Sequence, residues 1–473
     1  QGPSPAPACP SARPQDTRCA VEALAAMRGW ALLALFWSAA VATDDDLQRQ
    51  LRKELQPLVD EAASKYGSAY SLGFVARDVA LELVAGSIDT ADAKEGIPAK
   101  VGDAFAWGSV TKTFTGAGIM QRVAAGQLKL SDPAEKYVDP MLRRAQAPYK
   151  SMQEFFQADR WGLPPAQEFN ASEITVRHLL AMLSGIRDYD TSAFRDFQYT
   201  DPSLDFSPLQ ILDWVHGPLM FKPGGPVSVG GKLGHNSTGM NYCSVNYILL
   251  GYILAELSGA QTWVDYDQAD VVPANLRKHL GGLSFPKAGS CGRATRVHGY
   301  DLFSARAPYD VSNTSCLAGW TAGNIIMPSL AAAEWTRALW GSSYDVVPKD
   351  LLKEMVNFTG GSFYGLATMN MTYVTGLSFL GEYGQAVGHL GDTYGFTSMV
   401  TYFPKLDVGM AVATNHEDSH QAGPRALVCT AYNRALDIIL EQTVRNCTYA
   451  VKSYFEAECK CDGPSNTVGE IIV

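Results

Sequence analysis

The chain has 473 residues, 47% of them hydrophobic, and a formal net charge of −10 at pH 7. This length is ample for one large domain or two intimate subdomains. The acidic balance and the lack of a basic stripe in the sequence argue against nucleic acid as a partner. Beyond residue 45 no stretch approaches the ~20 apolar residues that a bilayer requires, so no stable membrane span is expected.

The N-terminal segment has the pattern of a secretory signal. A basic start at 27–29 precedes an apolar run at 30–37, and Ala-Val-Ala at 40–42 fits a cleavage site. We therefore expect a signal peptide over 27–42 and a secreted protein. Residues 1–26 are expected to be upstream sequence that was carried into the gene model. An uncleaved signal anchor is the alternative, for which the apolar run is short.

Six Asn-X-Ser/Thr sequons agree with secretion, because N-glycans are added in the secretory pathway. The sequons begin at Asn170, Asn236, Asn313, Asn357, Asn370 and Asn446. Together with the signal segment they predict a secreted glycoprotein that carries N-glycans.

Seven cysteines follow the signal segment, and an oxidising compartment would pair most of them. Cys291 and Cys316 lie in one loop-rich stretch and form a plausible pair. Cys429 and Cys447 bracket a helical run of ~18 residues, about 27 Å long, and are not expected to pair. The Cys-Lys-Cys at 459–461 is too short for an easy mutual bridge and is expected to reach Cys447 or another cysteine. Zinc is the alternative for this cluster, but no histidine accompanies it, so no metal and no cofactor are predicted.

The first predicted elements are a helix and a β-hairpin. Leucines recur at helical spacing over 45–65, and two strand-like runs follow at 70–76 and 81–86. The middle of the chain is mostly helical, with apolar helical runs that end on glycine at 174–185 and 247–259.

The last third returns to strands. The runs at 395–404 and 408–415 predict an antiparallel hairpin, and a long C-terminal helix follows over about 426–444. Strands at both ends around a helical middle predict an α+β fold, in which one antiparallel sheet is built from both chain ends. A cleft between the sheet lobe and a helical lobe would hold the site.

These elements define the expected domain boundaries. One domain covers 43–455, with a sheet lobe formed by about 45–110 and 300–445 and a helical lobe over about 111–299. Residues 456–473 form a cysteine-containing C-terminal tail.

The first candidate catalytic residues are Ser109 and Lys112, which lie three residues apart at the start of a predicted buried helix. Residues at this spacing project from one helix face. A serine hydroxyl becomes nucleophilic when a base removes its proton, and a desolvated lysine can be that base. Small and apolar residues follow over 116–125, and Gly126 is predicted to end the helix. Because nearly every face of this helix is apolar or small, we expect the helix to be buried in the protein interior.

A second copy of the spacing, Ser284 to Lys287, does not fit this chemistry. Pro286 would break a helix through the pair, and neighbouring glycines make the stretch a loop. A surface-helix serine and lysine remain the structural alternative for the first copy, and two distant elements argue against it.

The two distant elements are Tyr242-Cys243-Ser244, just before an apolar helix, and His389-Leu390-Gly391, just before the late hairpin. With Ser109 and Lys112, their order and spacing resemble the serine β-lactamase-like family, which includes class C β-lactamases, penicillin-binding proteins, D-amino-acid peptidases and esterases. The resemblance covers roughly residues 47–445. Further matches are Leu179-Leu180, Ser184-Gly185, Pro223-Gly224, Ala322-Gly323, Tyr364-Gly365 and the hairpin with Pro404 and Asn415.

This resemblance implies roles for the matching residues. Ser109 would attack a carbonyl and form an acyl-enzyme, while Lys112 and Tyr242 share the proton as general base and then general acid. The oxyanion would be held by the backbone N–H of Ser109 and one near Asp392, after Gly391.

Two positions depart from the family pattern. His389 stands where the family often has a lysine, and would offer a weaker, pH-dependent positive field for a substrate carboxylate. Ser244 stands where the family usually has asparagine, whose amide contacts substrate and lysine. This weakens a β-lactamase or transpeptidase assignment more than an esterase one. A second His-Leu-Gly sequence, at 279–281, ends a helical run, and its glycine is interpreted as a helix C-cap.

Two inserted segments and one pair of histidines carry the remaining predictions. The segments at 145–172, with Phe155, Phe156 and Trp161, and at 226–241 predict a lid, a cleft wall or surface decoration. The i,i+4 histidines at 416–420 follow a strand end without a distant third ligand, so a metal site is not expected there. The leading hypothesis is a secreted serine hydrolase of a small or peptide-like ester or amide, and the alternative is a catalytically impaired secreted glycoprotein.

Overall fold

A computed structural model of the chain describes residues 44–91, 96–157, 169–224, 241–316, 319–341, 346–358, 363–393, 395–417, 421–453 and 456–462. The expected signal peptide, the segment before it, Trp161 and nearly all of the 226–241 insertion lie outside these residues. None of the helices in the described ranges combines the length and the apolar character that a bilayer crossing would require.

Along the chain, a helix and a strand hairpin come first, a long helical stretch follows, and most of the remaining strands lie in the last third, as predicted. The helices are α1 Asp44–Tyr66, α2 Thr111–Ala124, α3 Glu135–Arg144, α4 Met152–Phe155, α5 Val176–Leu180, α6 Ser192–Thr200, α7 Pro208–Leu212, α8 Val245–Leu257, α9 Ala274–Arg277, α10 Cys291–Ala294, α11 Ser329–Trp340, α12 Lys349–Met355 and α13 Ala422–Ile439. The strands are β1 Tyr70–Val75, β2 Ala80–Ala85, β3 Ala104–Ala106, β4 Tyr300–Asp301, β5 Tyr309–Asp310, β6 Ile326–Pro328, β7 Met369–Asn370, β8 Val387–Thr393, β9 Phe396–Phe403, β10 Val408–Thr414, β11 His416–Glu417, β12 Cys447–Ser453 and β13 Glu456–Cys461.

One six-stranded antiparallel sheet joins the two ends of the chain. Its strand order is β2-β1-β10-β9-β8-β7, and β1 pairs with β10 in a register that places Tyr70 opposite Thr414. Every residue of β1, β9 and β10 is buried, because α11 packs against β1 and β10 while α13 packs against β9 and β10. The predicted sheet from both termini is confirmed.

The helical region is built around α8. All residues of α8 from Val245 to Ala255 are buried, and α2, α3 and α5 pack against it. The predicted helix over 174–185 is much shorter in the structure and covers only Val176–Leu180. Met182 adopts φ +60°, a left-handed conformation that ends the helical path and turns the chain toward the site.

The C-terminal region differs from the expected tail. Residues 456–461 form strand β13, which pairs with β12 in a hairpin that packs against α13 through β12. Disulfides join Cys429 to Cys459 and Cys447 to Cys461, and a third joins Cys291 to Cys316 as predicted. Cys429 and Cys447 do not pair with each other, and the buried Cys243 is the free thiol within the described residues.

Candidate active site

Ser109 and Lys112 meet at the junction of a short 3-10 turn, Gly108–Val110, and helix α2. Nζ of Lys112 donates hydrogen bonds to Oγ of Ser109 at 2.9 Å and to the carbonyl oxygen of Ala322 at 2.8 Å. Lys112 is 0% exposed, whereas Ser109 remains half-buried. Ser109 therefore lies in the turn that precedes α2, and Lys112 lies in the first turn of that buried helix, which Gly126 follows at its end.

Burial changes the protonation of Lys112. Desolvation lowers the pKa of Lys112 to about 8, and the nearby carboxylates of Asp188 and Asp190 oppose this shift. With that pKa roughly one lysine in ten is neutral at pH 7, against fewer than about one in a thousand for an ordinary lysine. The side chain can therefore act as a base near neutral pH.

Tyr242 lies beside this pair, in the turn that leads into α8. Nζ of Lys112 lies 5.1 Å from the centroid of the Tyr242 ring. The same ring lies 6.1 Å from that of Tyr364 and 6.3 Å from that of His389, measured between centroids. Three sequence-predicted residues, Ser109, Lys112 and Tyr242, are thus brought together from positions far apart in the sequence.

Ser244 contacts its neighbours in this site through its backbone N–H. Its N–H donates to Oδ2 of Asp188 at 2.9 Å. The nearby Asn246 is fully buried, and its Oδ1 accepts a hydrogen bond from Ser184 at 2.6 Å, so Asn246 serves the core.

Asp188 was missed by the sequence analysis. Its Oδ1 accepts the backbone N–H of Tyr189 at 2.9 Å, so the carboxylate links the loop after α5 to the turn that carries Tyr242. Burial, reinforced by Asp190, raises the pKa of Asp188 to about 6, and it is therefore charged above that pH. Its sequence signal is weak: a single aspartate three residues after Gly185.

His389 does not have the environment that the sequence analysis expected. The residue is 0% exposed, and burial lowers the pKa of His389 to about 3, with the charge of Lys112 acting in the same direction. Nδ1 of His389 lies 2.5 Å from the carbonyl oxygen of Leu390, and Nε2 lies 2.9 Å from the hydroxyl of Tyr364. The ring is neutral at physiological pH, so the expected positive field for a substrate carboxylate is absent.

Strand β8 lies close to the turn that carries Ser109, and a glycine stands on each side of this contact, Gly391 on β8 and Gly108 in the turn. A Cβ on Gly391 would collide with the carbonyl oxygen of Trp107 and the hydroxyl of Ser398, so only glycine fits there. Gly108 has φ +50°, and a Cβ on it would lie 2.6 Å from the carbonyl oxygen of Asp392. The backbone of Asp392 is therefore held against the turn that carries Ser109.

Several acidic side chains lie in the neighbourhood of Lys112, among them Asp188 and Asp190. The side chains of Asp190 and Asp392 are exposed to solvent. Arg195 is the cation among them, with its guanidinium 2.7 Å from Glu417.

Other candidates from the sequence lie outside this cleft or play structural roles. Nζ of Lys287 donates to the carbonyl oxygen of Val264 at 2.6 Å, and Ser284 pairs through its backbone with Ile326, as expected for a loop. His279 is exposed after α9. In the 145–172 insertion, Phe155 and Phe156 are buried and contact each other. Within the described ranges no three His, Cys, Asp or Glu side chains are placed to hold a metal ion.

Comparison with known proteins identifies the family. The profile of the β-lactamase family matches residues 65–428, well over half of the sequence. The chain therefore belongs to the β-lactamase family. The sequence matches no curated protein.

Solved structures share this fold. A D-stereospecific amidohydrolase from Streptomyces sp. superposes with a TM-score of 0.58 at 20% identity, covering 78% of this chain and 96% of the other. A penicillin-binding protein homologue from Pyrococcus abyssi gives 0.59 at 20% identity, covering 82% and 77%. D-amino acid amidase from Ochrobactrum anthropi, complexed with L-phenylalanine amide, gives 0.56 at 19% identity, covering 83% and 98%.

Proposed function

We propose that this protein is a serine hydrolase that cleaves a small ester or amide through an acyl-enzyme on Ser109. The observation that carries the proposal is the 2.9 Å contact between Oγ of Ser109 and the fully buried Nζ of Lys112. A nucleophile within hydrogen-bond reach of a base whose pKa lies near neutrality is the arrangement that acyl transfer requires.

The reaction follows from this geometry. Neutral Lys112 accepts the proton of Ser109 as Oγ bonds to the substrate carbonyl carbon. The carbonyl oxygen becomes an oxyanion, which the backbone N–H groups of Ser109 and Asp392 are proposed to hold. Lys112 and Tyr242 then pass the proton to the departing alcohol or amine as its bond to carbon breaks. Water, deprotonated by the same pair, releases the acid.

The charges of the cleft support a substrate with a free amino group. Asp188 and Asp190 favour a positive charge near Lys112, and neutral His389 supplies no cation for a substrate carboxylate. Penicillin-like and cephalosporin-like substrates carry such a carboxylate, so an amino-acid ester or amide fits better. The complex of D-amino acid amidase with L-phenylalanine amide agrees with this class.

We also propose that the protein is secreted and glycosylated. The expected signal segment, the three disulfides and the exposed sequon residues support this proposal. The exposed asparagines are Asn170, Asn313, Asn357 and Asn446, whereas Asn370 is half-buried and Asn236 lies outside the described residues.

The test compares hydrolysis by wild-type protein and Ser109→Ala, using D- and L-phenylalanine amides, their aryl esters and a chromogenic cephalosporin. We expect turnover of the amino-acid esters or amides and a loss on the order of 10³-fold or more in Ser109→Ala, because the nucleophile is gone. The matched control is Ser284→Ala, the serine of the second Ser-x-x-Lys copy, which should keep wild-type activity.

Two outcomes would contradict the proposal. Absence of any Ser109-dependent hydrolysis or fluorophosphonate labelling would support the impaired glycoprotein, which the serine at position 244 motivates. Turnover of the cephalosporin without turnover of amino-acid esters or amides would overturn the substrate class.

Replacing Asp188 with asparagine should shift the pH profile of kcat to lower pH. Above pH 6 the Asp188 carboxylate raises the pKa of Lys112, so removing the charge lowers that pKa further below about 8. More lysine is then neutral at a given pH, and the rising limb of kcat should shift to lower pH by about one unit. The measurement is kcat against pH for wild type, Asp188→Asn and the exposed control Asp350→Asn. An unchanged limb, or a shift to higher pH, would contradict this coupling.

A further inference from the structure

A groove lies between the second half of α1, helix α13 and the start of strand β12, and its lining includes no residue of the serine site. We call it the C-terminal groove. Its volume is about 380 Å³, within the ~300–1,000 Å³ that small-molecule sites occupy. The lining residues include Ala62, Tyr66, Gly423, Thr430 and Tyr449.

The C-terminal groove is elongated along α13. Gly423, Thr430 and Arg434 line it at intervals of about one or two helical turns, so they lie on one face of the helix. From Gly423 to Arg434 this face is about 16 Å long at a rise of ~1.5 Å per residue. Tyr66 and Tyr449 add aromatic rings to the lining. Rings and a hydroxyl together suit a sugar, which has a face of C–H groups and an edge of hydroxyls.

The arginines of the C-terminal groove are already paired with carboxylates. Nη1 of Arg434 lies 3.0 Å from Oε2 of Glu54, and Nη2 of Arg445 lies 2.6 Å from Oδ1 of Asp437. The other charged lining residues are one lysine and one glutamate, Lys65 and Glu61. Because these positive charges are balanced, the groove favours a neutral polar ligand over an anion.

Asn446, the asparagine of the last sequon, lines the Arg434 end of the groove and is exposed to solvent. Its Oδ1 accepts a hydrogen bond from Nη2 of Arg434 at 3.0 Å. A guanidinium only donates hydrogen bonds, so the amide atom that faces it must be the oxygen. The amide nitrogen Nδ2, which is the atom that carries an N-glycan, is thus left outside this contact.

The backbone at Asn446 is held firmly. The N–H of Asp462 donates to the carbonyl oxygen of Asn446 at 2.8 Å, and the disulfide from Cys447 to Cys461 ties the next residue to β13. A glycan attached to a fixed point loses less freedom when it packs against the protein than one attached to a mobile loop.

We propose that the C-terminal groove binds the core of an N-glycan attached to Asn446 of the same chain. The proposal rests on the proposed glycosylation and is independent of the hydrolase chemistry. In the attachment step the bond forms between Nδ2 of Asn446 and C1 of the first N-acetylglucosamine. The amide loses a proton, and the lipid pyrophosphate of the sugar donor leaves. The first sugars then pack between α1, α13 and β12.

Enzymatic release of the glycan from the native protein tests this packing. The full-length chain is secreted from cultured eukaryotic cells, and glycopeptide mass spectrometry follows peptide-N-glycosidase release at Asn446 and at the exposed Asn313. We expect release from Asn446 to be about 10-fold slower or more, because the bond that the enzyme cuts is covered by the groove. After denaturation the two rates should be equal.

A groove-filling variant separates packing from other causes of slow release. Ala426 lines the groove and is half-buried, so Ala426→Phe should displace the glycan and bring its release rate close to that at Asn313. The matched control Ala426→Ser keeps a small side chain and should keep release slow.

Thermal unfolding provides a second readout. Asn446→Gln and Thr448→Val both remove the sequon but lose different local contacts, and each should lower Tm by about 2–4 °C. Asn313→Gln, which removes a glycan from an exposed site, should leave Tm unchanged.

Three results would overturn the proposal. A glycan on Asn313 with none on Asn446 would overturn it alone. Equal release from the two sites in the native protein would show that the groove does not hold the glycan and is open to another ligand. A protein without glycans at any sequon would also refute the proposed glycosylation. Hydrolysis through Ser109 is unaffected by all three results.

Discussion

Replacing Lys112 with methionine should lower kcat/KM by about 10³-fold or more while the protein stays folded. Methionine keeps an unbranched apolar stem in the buried position but removes the only nitrogen that contacts Oγ of Ser109 among the described residues. Loss of a general base costs about 10²- to 10⁴-fold, and the serine also loses its orienting hydrogen bond. Steady-state hydrolysis and far-UV circular dichroism check the result.

The matched control for this variant is Lys287→Met, the lysine of the second Ser-x-x-Lys copy. Lys287 lies in a loop and contacts the backbone of Val264, so its replacement should leave hydrolysis unchanged. In the wild type, kcat should rise with pH through about 8, since burial lowers the pKa of Lys112 to that value and the base must be neutral. A folded Lys112→Met protein with more than a tenth of wild-type activity would contradict the assigned base.

Replacing Gly391 with alanine should reduce activity by about 10²- to 10³-fold and also destabilise the fold. The added methyl group would collide with the carbonyl oxygen of Trp107, so β8 must move away from the serine turn. Loss of one oxyanion donor costs about 10²- to 10³-fold in rate, and forcing extra volume into a packed site costs about 1–3 kcal/mol. Hydrolysis rates and urea unfolding measure the two effects.

The control for this substitution lies in the second His-Leu-Gly copy. A Cβ on Gly281 would have no neighbouring atom within 4 Å, so Gly281→Ala should affect neither activity nor stability. If Gly391→Ala retained wild-type hydrolysis, the close approach of β8 to Trp107 would have no bearing on catalysis.

Local sequence patterns were sufficient to predict the sheet and the contact between Ser109 and Lys112. The alternating strands near both ends of the chain predicted one shared sheet, and β1 pairs with β10 in it. Ser109 and Lys112 are one helical turn apart, so their contact depends on a single local element. For such features, spacing in the sequence translates directly into spacing in the structure.

Features that depend on distant packing could not be predicted in the same way. The neutrality of His389 depends on its burial and on the nearby charge of Lys112, neither of which the sequence around it reveals. Asp188 joins the site because Met182 turns the chain after α5. The bridge from Cys429 to Cys459 likewise depends on the C-terminal hairpin, which sequence spacing did not indicate.

The central claim is that Ser109 becomes acylated during turnover, and mass spectrometry tests it most directly. The protein is mixed with a phenylalanine aryl ester, quenched with acid during steady-state turnover, and digested for peptide mapping. The account predicts a phenylalanyl adduct on Ser109, absent in Ser109→Ala and present in Ser284→Ala. Turnover that proceeds with no adduct on Ser109, or with an adduct that persists in Ser109→Ala, would contradict it.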